Sequence, residues 1–266
     1  MCGDPANLPY ASAKTVGYET RIAELLAADM HAQLHSFWYS NMRGFVRNTL
    51  LARNCDVMVT APAEFPRMQQ GIAVTRPYYA SSFVAIMRAS DKRRFTSFDD
   101  AWLRDAKIGI ELVGTDRSDI PPNVSLIYRG ITQHITGFPM RSAQGMENPQ
   151  GRIVDAVANG TVDVAFAWGP ITGYFAKPYG PALRLETVRA DPQHPDIHFA
   201  YALSMAVRKT DTSLLDRVQA AIDRHHAEIG AILAQYGVPR IPIEAAGPIP
   251  TGTDFAQAAH APSPTH

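Results

Sequence analysis

Apolar positions along this chain follow two patterns: short continuous runs, and longer stretches with an apolar residue at every third or fourth position. The first pattern is typical of buried strands and the second of helices that pack one face. The two alternate through most of the chain, which predicts an α/β fold with a largely parallel sheet. The predicted strands are 37–39, 56–61, 107–113 and 162–168, and the predicted helices are 19–30, 44–52, 124–131, 151–159 and 213–236.

Several helix ends carry signals of their own. Gly160 is placed as the C-cap of helix 151–159, and Gly237 with Pro239 ends the long helix 213–236. Ser97 can cap a helix in which Asp100 occupies the third position. We therefore interpret the acidic residues near Asp100 as structural.

Two segments organise the remainder of the chain. Residues 75–90 begin as a Pro-containing loop and continue into a run of aromatic and β-branched residues, which predicts a single strand. Residues 198–209 have the same character and would carry the chain back. Two crossings form a hinge between two lobes, with a cleft between them. Lobe 1 is predicted to comprise 1–87 and 204–246, lobe 2 to comprise 88–203, and 247–266 to form a disordered tail.

Composition excludes several classes of function. The chain has 266 residues, with 25 Lys plus Arg against 25 Asp plus Glu, so it carries no net field that would attract nucleic acid. No run approaches the roughly 18 uncharged apolar residues of a membrane span. The N-terminus has no basic or apolar signal region, so we expect any export signal to have been removed. Because the chain begins almost at Cys2, we also expect most of a first strand to be absent, which would destabilise lobe 1 if that strand is central.

The two cysteines, Cys2 and Cys55, leave two interpretations open. One disulfide would indicate an oxidising compartment, whereas two buried thiols would be equally consistent with a cytosolic protein.

Seven short motifs together resemble one family. The motifs, in chain order, are Cys-x-Asp-Pro-x-Asn-Leu-Pro-Tyr (2–10), Arg-Gly-Phe-Val-Arg-Asn-Thr-Leu (43–50), Cys-Asp-Val (55–57), Thr-Arg-Pro-Tyr-Tyr (75–79), Trp-Gly-Pro-x-x-Gly-Tyr-Phe-Ala (168–176), Met-Ala-Val-Arg (205–208) and Tyr-Gly-Val-Pro (236–239). The chain resembles the MxaJ/XoxJ-type periplasmic substrate-binding proteins, which are associated with methanol dehydrogenases that depend on pyrroloquinoline quinone (PQQ). The resemblance covers residues 2–239.

The resemblance implies a bacterial periplasmic protein with the two-lobed type II periplasmic binding protein fold. It also implies a disulfide between Cys2 and Cys55, because relatives carry a cysteine pair at the matching positions. The implied role is that of an accessory to a PQQ-dependent methanol or alcohol dehydrogenase, with the enzyme, its PQQ or a small ligand bound in the cleft. The alternative is a solute receptor of an ABC transporter for a small organic substrate that is not an amino acid.

Ligands of open α/β sheets bind beyond the carboxyl ends of strands, which selects the candidate ligand-binding residues. Aromatic side chains with a few Arg and Asp would suit a polar or anionic solute, although each residue is about equally well explained as packing or as a bridge to backbone carbonyls. The candidates are Asp4, Asn7, Tyr10, Trp38, Arg43, Pro62, Arg76, Tyr78, Thr115, Asp116, Trp168 and Tyr174.

Two differences from amino-acid-binding members of the wider superfamily argue against an α-amino acid ligand. Amino-acid-binding members of the wider superfamily have an arginine for the carboxylate, but here Arg67 lies one place away from that position. Trp168 replaces the aspartate that would balance the ammonium group. A flat aromatic or quinone-like ligand that stacks on Trp168 fits better, and PQQ is the candidate bound cofactor.

Metal binding and catalysis have weak support. Three pairs of histidines are close in sequence: His31 with His35, His194 with His198, and His225 with His226. Each pair supplies at most two ligands, whereas a zinc site needs three or four. We therefore interpret these histidines as surface residues without a metal site. The chain has no nucleophile elbow, zincin or phosphate-loop motif. Glu111, Asp116 and Glu147 could serve as cleft acids, as in binding proteins that acquired dehydratase activity, but we expect no enzyme activity.

Overall fold

A computed structural model describes residues 1–41, 43–112, 120–140 and 148–248, without the side chains of Arg67 and Met68. The strands are β1 (Cys2–Gly3), β2 (Ala6–Asn7), β3 (Ala11–Ser12), β4 (Phe37–Trp38), β5 (Met58–Pro62), β6 (Ile72–Val74), β7 (Tyr79–Arg88), β8 (Ile108–Leu112), β9 (Ile135–Pro139), β10 (Val164–Trp168), β11 (Leu183–Thr187) and β12 (Ala200–Arg208). The α-helices are α1 (Tyr18–Asp29), α2 (Phe45–Asn48), α3 (Phe65–Met68), α4 (Pro121–Tyr128), α5 (Arg152–Ala158), α6 (Gly169–Ala176), α7 (Thr212–Arg224) and α8 (His226–Gln235). Short 3-10 turns occupy Ala101–Arg104, Pro149–Gly151, Lys177–Ala182 and Ile243–Ala245.

The chain divides into two compact units and passes between them after Ser81, after Phe199 and after Ala246. Unit 1 contains Met1–Ser81 and Ala200–Ala246, and the described residues of unit 2 are Ser82–Phe199 with Gly247 and Pro248. The first two passages lie within β7 and at the start of β12, which are the two strands predicted from 75–90 and 198–209. They fall after Ser81 and Phe199, whereas the sequence placed them after residues 87 and 203.

Unit 1 is built around β12, which is antiparallel to both β5 and β6. At the chain start, β1 is parallel to β4, and the backbone N–H of Cys2 donates to the carbonyl of Val57 at 2.9 Å. A disulfide joins Cys2 to Cys55, as the resemblance implied. Both cysteines belong to a buried apolar cluster with Phe45, Val46, Leu50 and Ile72.

Unit 2 is built around β10, which is antiparallel to β7 and parallel to β8. Strand β9 extends the sheet in parallel beyond β8, and β11 pairs antiparallel with β7. The strands are nearly continuous apolar runs because helices cover the sheet; α5 buries Ile153, Val154 and Val157 against Val84 and Ala165.

Most predicted elements are present, but the sheet predicted to be largely parallel is mixed, with β12 antiparallel to β5 and β6 and β10 antiparallel to β7. Three further corrections concern single elements. The predicted helix 213–236 is two helices, α7 and α8, separated at His225, whose φ of −105° and ψ of 22° leave the helical range. Asp100 precedes a 3-10 turn rather than occupying the third position of a helix, and the hydroxyl of Ser97 accepts from the N–H of Asp99 at 3.1 Å. Helix α6 follows Trp168 directly, although no helix was predicted between residues 159 and 213.

Short or weakly patterned elements were not predicted: β1, β2, β3, β6, β9, β11 and α3. The predicted tail lies outside the described residues from residue 249 onward. Among the described residues, no helix is long and apolar enough to cross a membrane.

Candidate functional site

The start of α1 places an acidic residue inside unit 1. Gly17 lies so close to the chain at Tyr10 that a Cβ there would be 2.1 Å from the Tyr10 carbonyl oxygen, so only glycine fits. The N–H groups of Tyr18 and Glu19 donate to the carbonyls of Pro9 and Tyr10, both at 2.9 Å. This docking turns Glu19 toward the core on the same helical face as Ile22.

Glu19 is 9% exposed, and its hydrogen-bonding partner is Thr60 of β5, whose hydroxyl oxygen also lies 3.5 Å from the Tyr78 hydroxyl oxygen. Burial raises the pKa of Glu19 to about 8, against an ordinary value of 4.5, and the nearby charge of Asp4 raises it further. The bonds from Thr60 oppose this shift by favouring the carboxylate. At pH 7 Glu19 is therefore mainly a neutral carboxylic acid.

Buried tyrosines surround this carboxyl group. The hydroxyl groups of Tyr18 and Tyr79 are hydrogen-bonded at 2.9 Å, and the Tyr78 hydroxyl donates to the Val59 carbonyl at 2.9 Å. Burial raises the pKa of Tyr18, Tyr78 and Tyr79 well above 10, and Glu19 contributes to each shift. These phenols are therefore neutral hydrogen-bonding groups at any physiological pH.

A pocket of about 280 Å³ lies at the carboxyl end of β5, entirely within unit 1. Thr60, the partner of Glu19, is one of its walls. Apolar and aromatic side chains form much of the surface, and amide groups with one guanidinium supply the polar part, which suits a flat ligand with anionic or carbonyl groups. The pocket is lined by Asn41, Gly44, Phe45, Val46, Arg47, Met58, Thr60, Pro62, Phe65 and Gln69.

Three predicted site residues, Tyr10, Pro62 and Tyr78, lie around this arrangement. Pro62 is a pocket wall, whereas the Tyr78 side chain is buried, with its hydroxyl bonded to the backbone. The Tyr10 ring contacts Tyr18, with centroids 5.1 Å apart. The two tyrosines thus support the pocket from behind.

Asp4 and Asn7 take part in local backbone structure. The carboxylate of Asp4 accepts from the N–H groups of Ala6 at 2.8 Å and Asn41 at 2.7 Å, and so joins the first loop to the pocket rim. Asn7 pairs with Ala11 between β2 and β3.

Trp38, Arg43 and Arg76 are not gathered at the pocket. The Trp38 ring packs on the backbone of Gly3, where a Cβ would be 2.7 Å from a ring carbon. Arg43 is exposed. Arg76 forms an exposed ion pair with Asp223 at 2.6 Å and its N–H donates to Gln219, which favours a structural role.

In unit 2, Trp168 lies at the carboxyl end of β10, and its ring contacts Phe83 edge to face at 5.3 Å. Its backbone N–H donates to Oε2 of Glu111 at 3.0 Å. Glu111 is 1% exposed, and its Oε1 has no hydrogen-bond partner among the described residues. Burial raises the pKa of Glu111 to about 8, and the bond from Trp168 partly offsets the shift. Glu111 thus holds the turn into α6.

The remaining predicted residues divide between unit 2 and the undescribed segments. Tyr174 is in α6, with its ring edge to face with Phe175 at 5.1 Å. Thr115, Asp116 and Glu147 lie outside the described residues. The roles predicted for Trp168 and Tyr174 in ligand binding stay predictions.

A buried ion pair stabilises unit 2. Arg129 donates two hydrogen bonds to Asp191, at 2.7 and 2.8 Å, and further bonds to Asp99 at 2.7 and 3.2 Å. Burial alone would raise the pKa of Asp191, but the bonds and positive charge of Arg129 outweigh it and hold the pKa below its usual value. The interpretation of the acids near Asp100 as structural agrees with the position of Asp99.

Two histidines have protein partners. The ring of His194 stacks on Tyr128 at 4.0 Å, and His225 contacts Asp29 at 2.9 Å and Glu228 at 3.3 Å. Within the described residues, no three His, Cys, Asp or Glu side chains converge as a metal site.

Glu19 and Thr60 were missed as site residues. The available signal was an acid on the apolar face of helix 19–30, three residues before Ile22 and seven before Leu26. An acid at such a position is buried by the packing of the face and needs a partner. No comparable signal marks Thr60, which is one residue in a buried strand.

Comparison with known proteins places this arrangement in a family. A profile of the bacterial extracellular solute-binding proteins, family 3, matches residues 1–239. The chain belongs to this family. Both the predicted α/β class and the type II periplasmic binding protein fold are confirmed.

Individual relatives agree with the predicted subgroup. The protein MoxJ of Methylorubrum extorquens is 27% identical over 233 residues, which are 85% of this chain and 76% of MoxJ. The crystal structure of the periplasmic binding protein XoxJ from Methylobacterium extorquens AM1 is similar, with a TM-score of 0.70, 26% identity, and coverage of 91% of this chain and 98% of XoxJ. The structure of MxaJ from Methlophaga aminisulfidivorans MPT has a TM-score of 0.76 at 24% identity and covers 90% of this chain and 98% of MxaJ. The resemblance to MxaJ/XoxJ-type proteins is confirmed.

Proposed function

We propose that this chain is a periplasmic binding protein of a PQQ-dependent methanol or alcohol dehydrogenase system, and that it acts by binding rather than by catalysis. The observation that carries the proposal is the pocket of unit 1, which combines aromatic walls with a guanidinium group. The relatives MoxJ, MxaJ and XoxJ support the same system, and XoxJ is described as a periplasmic binding protein.

The proposed ligand is PQQ, a flat quinone that carries carboxylates. Phe45 and Phe65 supply aromatic walls on which such a ring system can pack, and Arg47 supplies the cation for a carboxylate. Asn41 and Gln69 add amide groups that can both donate and accept. Each class of group on the ligand therefore has a complementary class in the pocket.

The same pocket is poorly suited to an α-amino acid. An ammonium group needs an ionised acid beside it, but Glu19 behind Thr60 is mainly neutral at pH 7. Its burial favours the proton over the charge. A receptor for a small organic acid is the second candidate, because Arg47 would also hold a simple carboxylate.

Titration calorimetry distinguishes these candidates. Oxidised wild-type protein is titrated with PQQ, with the dehydrogenase, and with a panel of small organic acids and amines. PQQ is expected to give saturable heat that Arg47→Gln weakens about 10- to 100-fold, the effect of one charge-assisted hydrogen bond. The matched control is Arg21→Gln, an exposed arginine on α1 of the same unit.

Heat only from a small acid would replace PQQ with that solute and make the chain an ordinary transport receptor. Heat only from the dehydrogenase, insensitive to Arg47→Gln, would move the binding surface away from the pocket.

A further inference from the structure

One aromatic side chain beside the unit 1 pocket is exposed and yet held in place. Tyr39 directly follows β4 and is 36% exposed, the one aromatic residue among the exposed large hydrophobic residues of the described chain. Its backbone N–H donates to the carbonyl of Gly3 at 2.9 Å, and its ring lies 6.3 Å from that of Phe45, a pocket wall. A ring that is fixed before a ligand arrives loses little further freedom on contacting one.

The hydroxyl group of Tyr39 has an uncommitted proton. The side-chain amide of Asn48 donates to the Tyr39 oxygen at 2.9 Å, so the phenol is the acceptor in this bond. A phenol can donate while it accepts, and the proton of Tyr39 has no acceptor among the described residues. Asn48 is fixed in turn, because its backbone carbonyl accepts from the side-chain amide of Asn54 at 3.0 Å. Tyr39 therefore offers a hydrogen-bond donor on a fixed ring.

Gly44 brings this donor close to the guanidinium group of the pocket. Its φ of +89° is in the left-handed region, and a Cβ there would be 3.3 Å from both Nη2 of Arg47 and Nδ2 of Asn48. The guanidinium and the amide therefore lie beside the same glycine, which is itself a pocket wall. Arg47, Asn48 and Tyr39 thus form a row of donors along the pocket rim, the first of them charged.

A row of donors favours ligands with more than one acidic group. Arg47 binds the first carboxylate, as in the proposed function. A second carboxylate on the same flat ring system can then accept the proton of Tyr39, whose ring extends the aromatic wall of Phe45. A monocarboxylate occupies the position at Arg47 and makes no bond to the phenol.

We propose that Tyr39 is a ligand-binding residue of this pocket and that its hydroxyl makes the site selective for flat ligands with two or more acidic groups. This inference rests on the proposed function for the place of the ligand, and it adds a second point of attachment. It does not depend on PQQ, because any flat diacid of suitable spacing offers the same two groups.

The experiment compares wild type with Tyr39→Phe, because this change removes the hydroxyl and keeps the ring. Titration calorimetry measures the affinity of PQQ, of a set of naphthalene dicarboxylates that differ in the spacing of their acidic groups, and of a naphthalene monocarboxylate. Tyr39→Phe is expected to weaken PQQ and at least one dicarboxylate about three- to tenfold, the net contribution of one hydrogen bond. The affinity of the monocarboxylate should not change.

Two further variants separate the phenol from other effects. Arg47→Gln removes the cation and should weaken the dicarboxylates and the monocarboxylate alike. The matched control is Tyr236→Phe, which removes a hydroxyl that donates to the Val16 carbonyl of the same unit, and it should bind all the probes as wild type does. The urea midpoint of Tyr39→Phe should equal that of wild type, which shows that the fold is intact.

Unchanged affinities in Tyr39→Phe, or an equal loss for the dicarboxylates and the monocarboxylate, would overturn the inference. If PQQ gives no heat while a dicarboxylate binds and is weakened in Tyr39→Phe, the proposed ligand is wrong and the role of Tyr39 is supported. If neither PQQ nor any dicarboxylate binds, both the proposed ligand and the role of Tyr39 are wrong.

Discussion

The disulfide makes a specific prediction about the stability of unit 1. Cys2 and Cys55 are separated by 53 residues in sequence. Closing a loop of this length lowers the entropy of the unfolded chain, and the chain-entropy relation gives about 4 kcal/mol at 25 °C. Replacing both cysteines by alanine should therefore lower the free energy of unfolding of unit 1 by about this amount.

Trp38 offers a local reporter, because its ring packs on Gly3, the neighbour of Cys2. In a background with Trp102→Phe and Trp168→Phe, urea unfolding is followed by the fluorescence of Trp38 alone. With a slope of about 2 kcal/mol/M, the midpoint should fall by about 2 M in the double alanine variant.

Two controls separate the loop from other effects. Reductant should lower the midpoint of the protein with both cysteines and leave the double alanine variant unchanged. A protein in which Trp168 is the remaining tryptophan reports on unit 2, outside the closed loop, and its midpoint should change less. If the urea midpoint reported by Trp38 falls by less than about 0.5 M, the disulfide contributes only about 1 kcal/mol, which would refute the value of about 4 kcal/mol.

Three further predictions concern charged groups. Burial raises the folded pKa of Glu111 to about 8 against 4.5 ordinarily, so the unfolded chain releases this proton first and stability falls between about pH 4.5 and pH 8. Glu111→Gln should make this fall smaller in melting temperatures measured from pH 5 to 9, and the part due to Glu19 of unit 1, whose pKa is raised in the same way, should remain. Arg129→Met leaves the buried charge of Asp191 without its partner and should destabilise unit 2 by about 3–5 kcal/mol in urea unfolding. The hydrogen bond to Asp29 raises the pKa of His225 in the folded protein. The protonated ring therefore stabilises the fold fully below about pH 6.5, and this stabilisation is lost as pH rises through the folded pKa. Asp29→Asn should lower the pKa of His225 in an NMR titration.

Each of these has a contradicting result. Equal pH profiles for wild type and Glu111→Gln would show that Glu111 does not hold its proton. Arg94→Met, at an exposed arginine of unit 2, is the control for Arg129→Met, and equal losses from the two would contradict the buried pair. If the pKa of His225 is the same in Asp29→Asn as in the wild type, Asp29 is not the group that raises it.

The sequence predicted the elements whose patterns are long and local. Strand β10 is a continuous apolar run, and α5 combines an apolar face with Gly160, whose φ of +81° suits a residue without a Cβ. The break at His225 could not be predicted in this way, because its ring bonds to Asp29, far away in the chain. Tertiary contacts of this kind leave no periodic signal.

The candidate site was predictable only in part. The first loop and the end of β5 were among the selected regions, since strand ends are where binding residues of α/β sheets collect, and their role in ligand binding stays a prediction. Tyr78 was selected by its position relative to a strand end, but its hydroxyl is satisfied by Val59 inside the unit. Glu19 was not predicted as a site residue because a charged residue on a helix is normally solvated. It is buried by the packing around Gly17.

Binding of PQQ in the unit 1 pocket is tested most directly by a crystal structure of the oxidised protein grown with PQQ. We expect a planar ligand in this pocket between Phe45 and Phe65, with a carboxylate within hydrogen-bonding distance of the Arg47 guanidinium. PQQ bound elsewhere, or an empty pocket at a PQQ concentration that saturates the calorimetric signal, would contradict it.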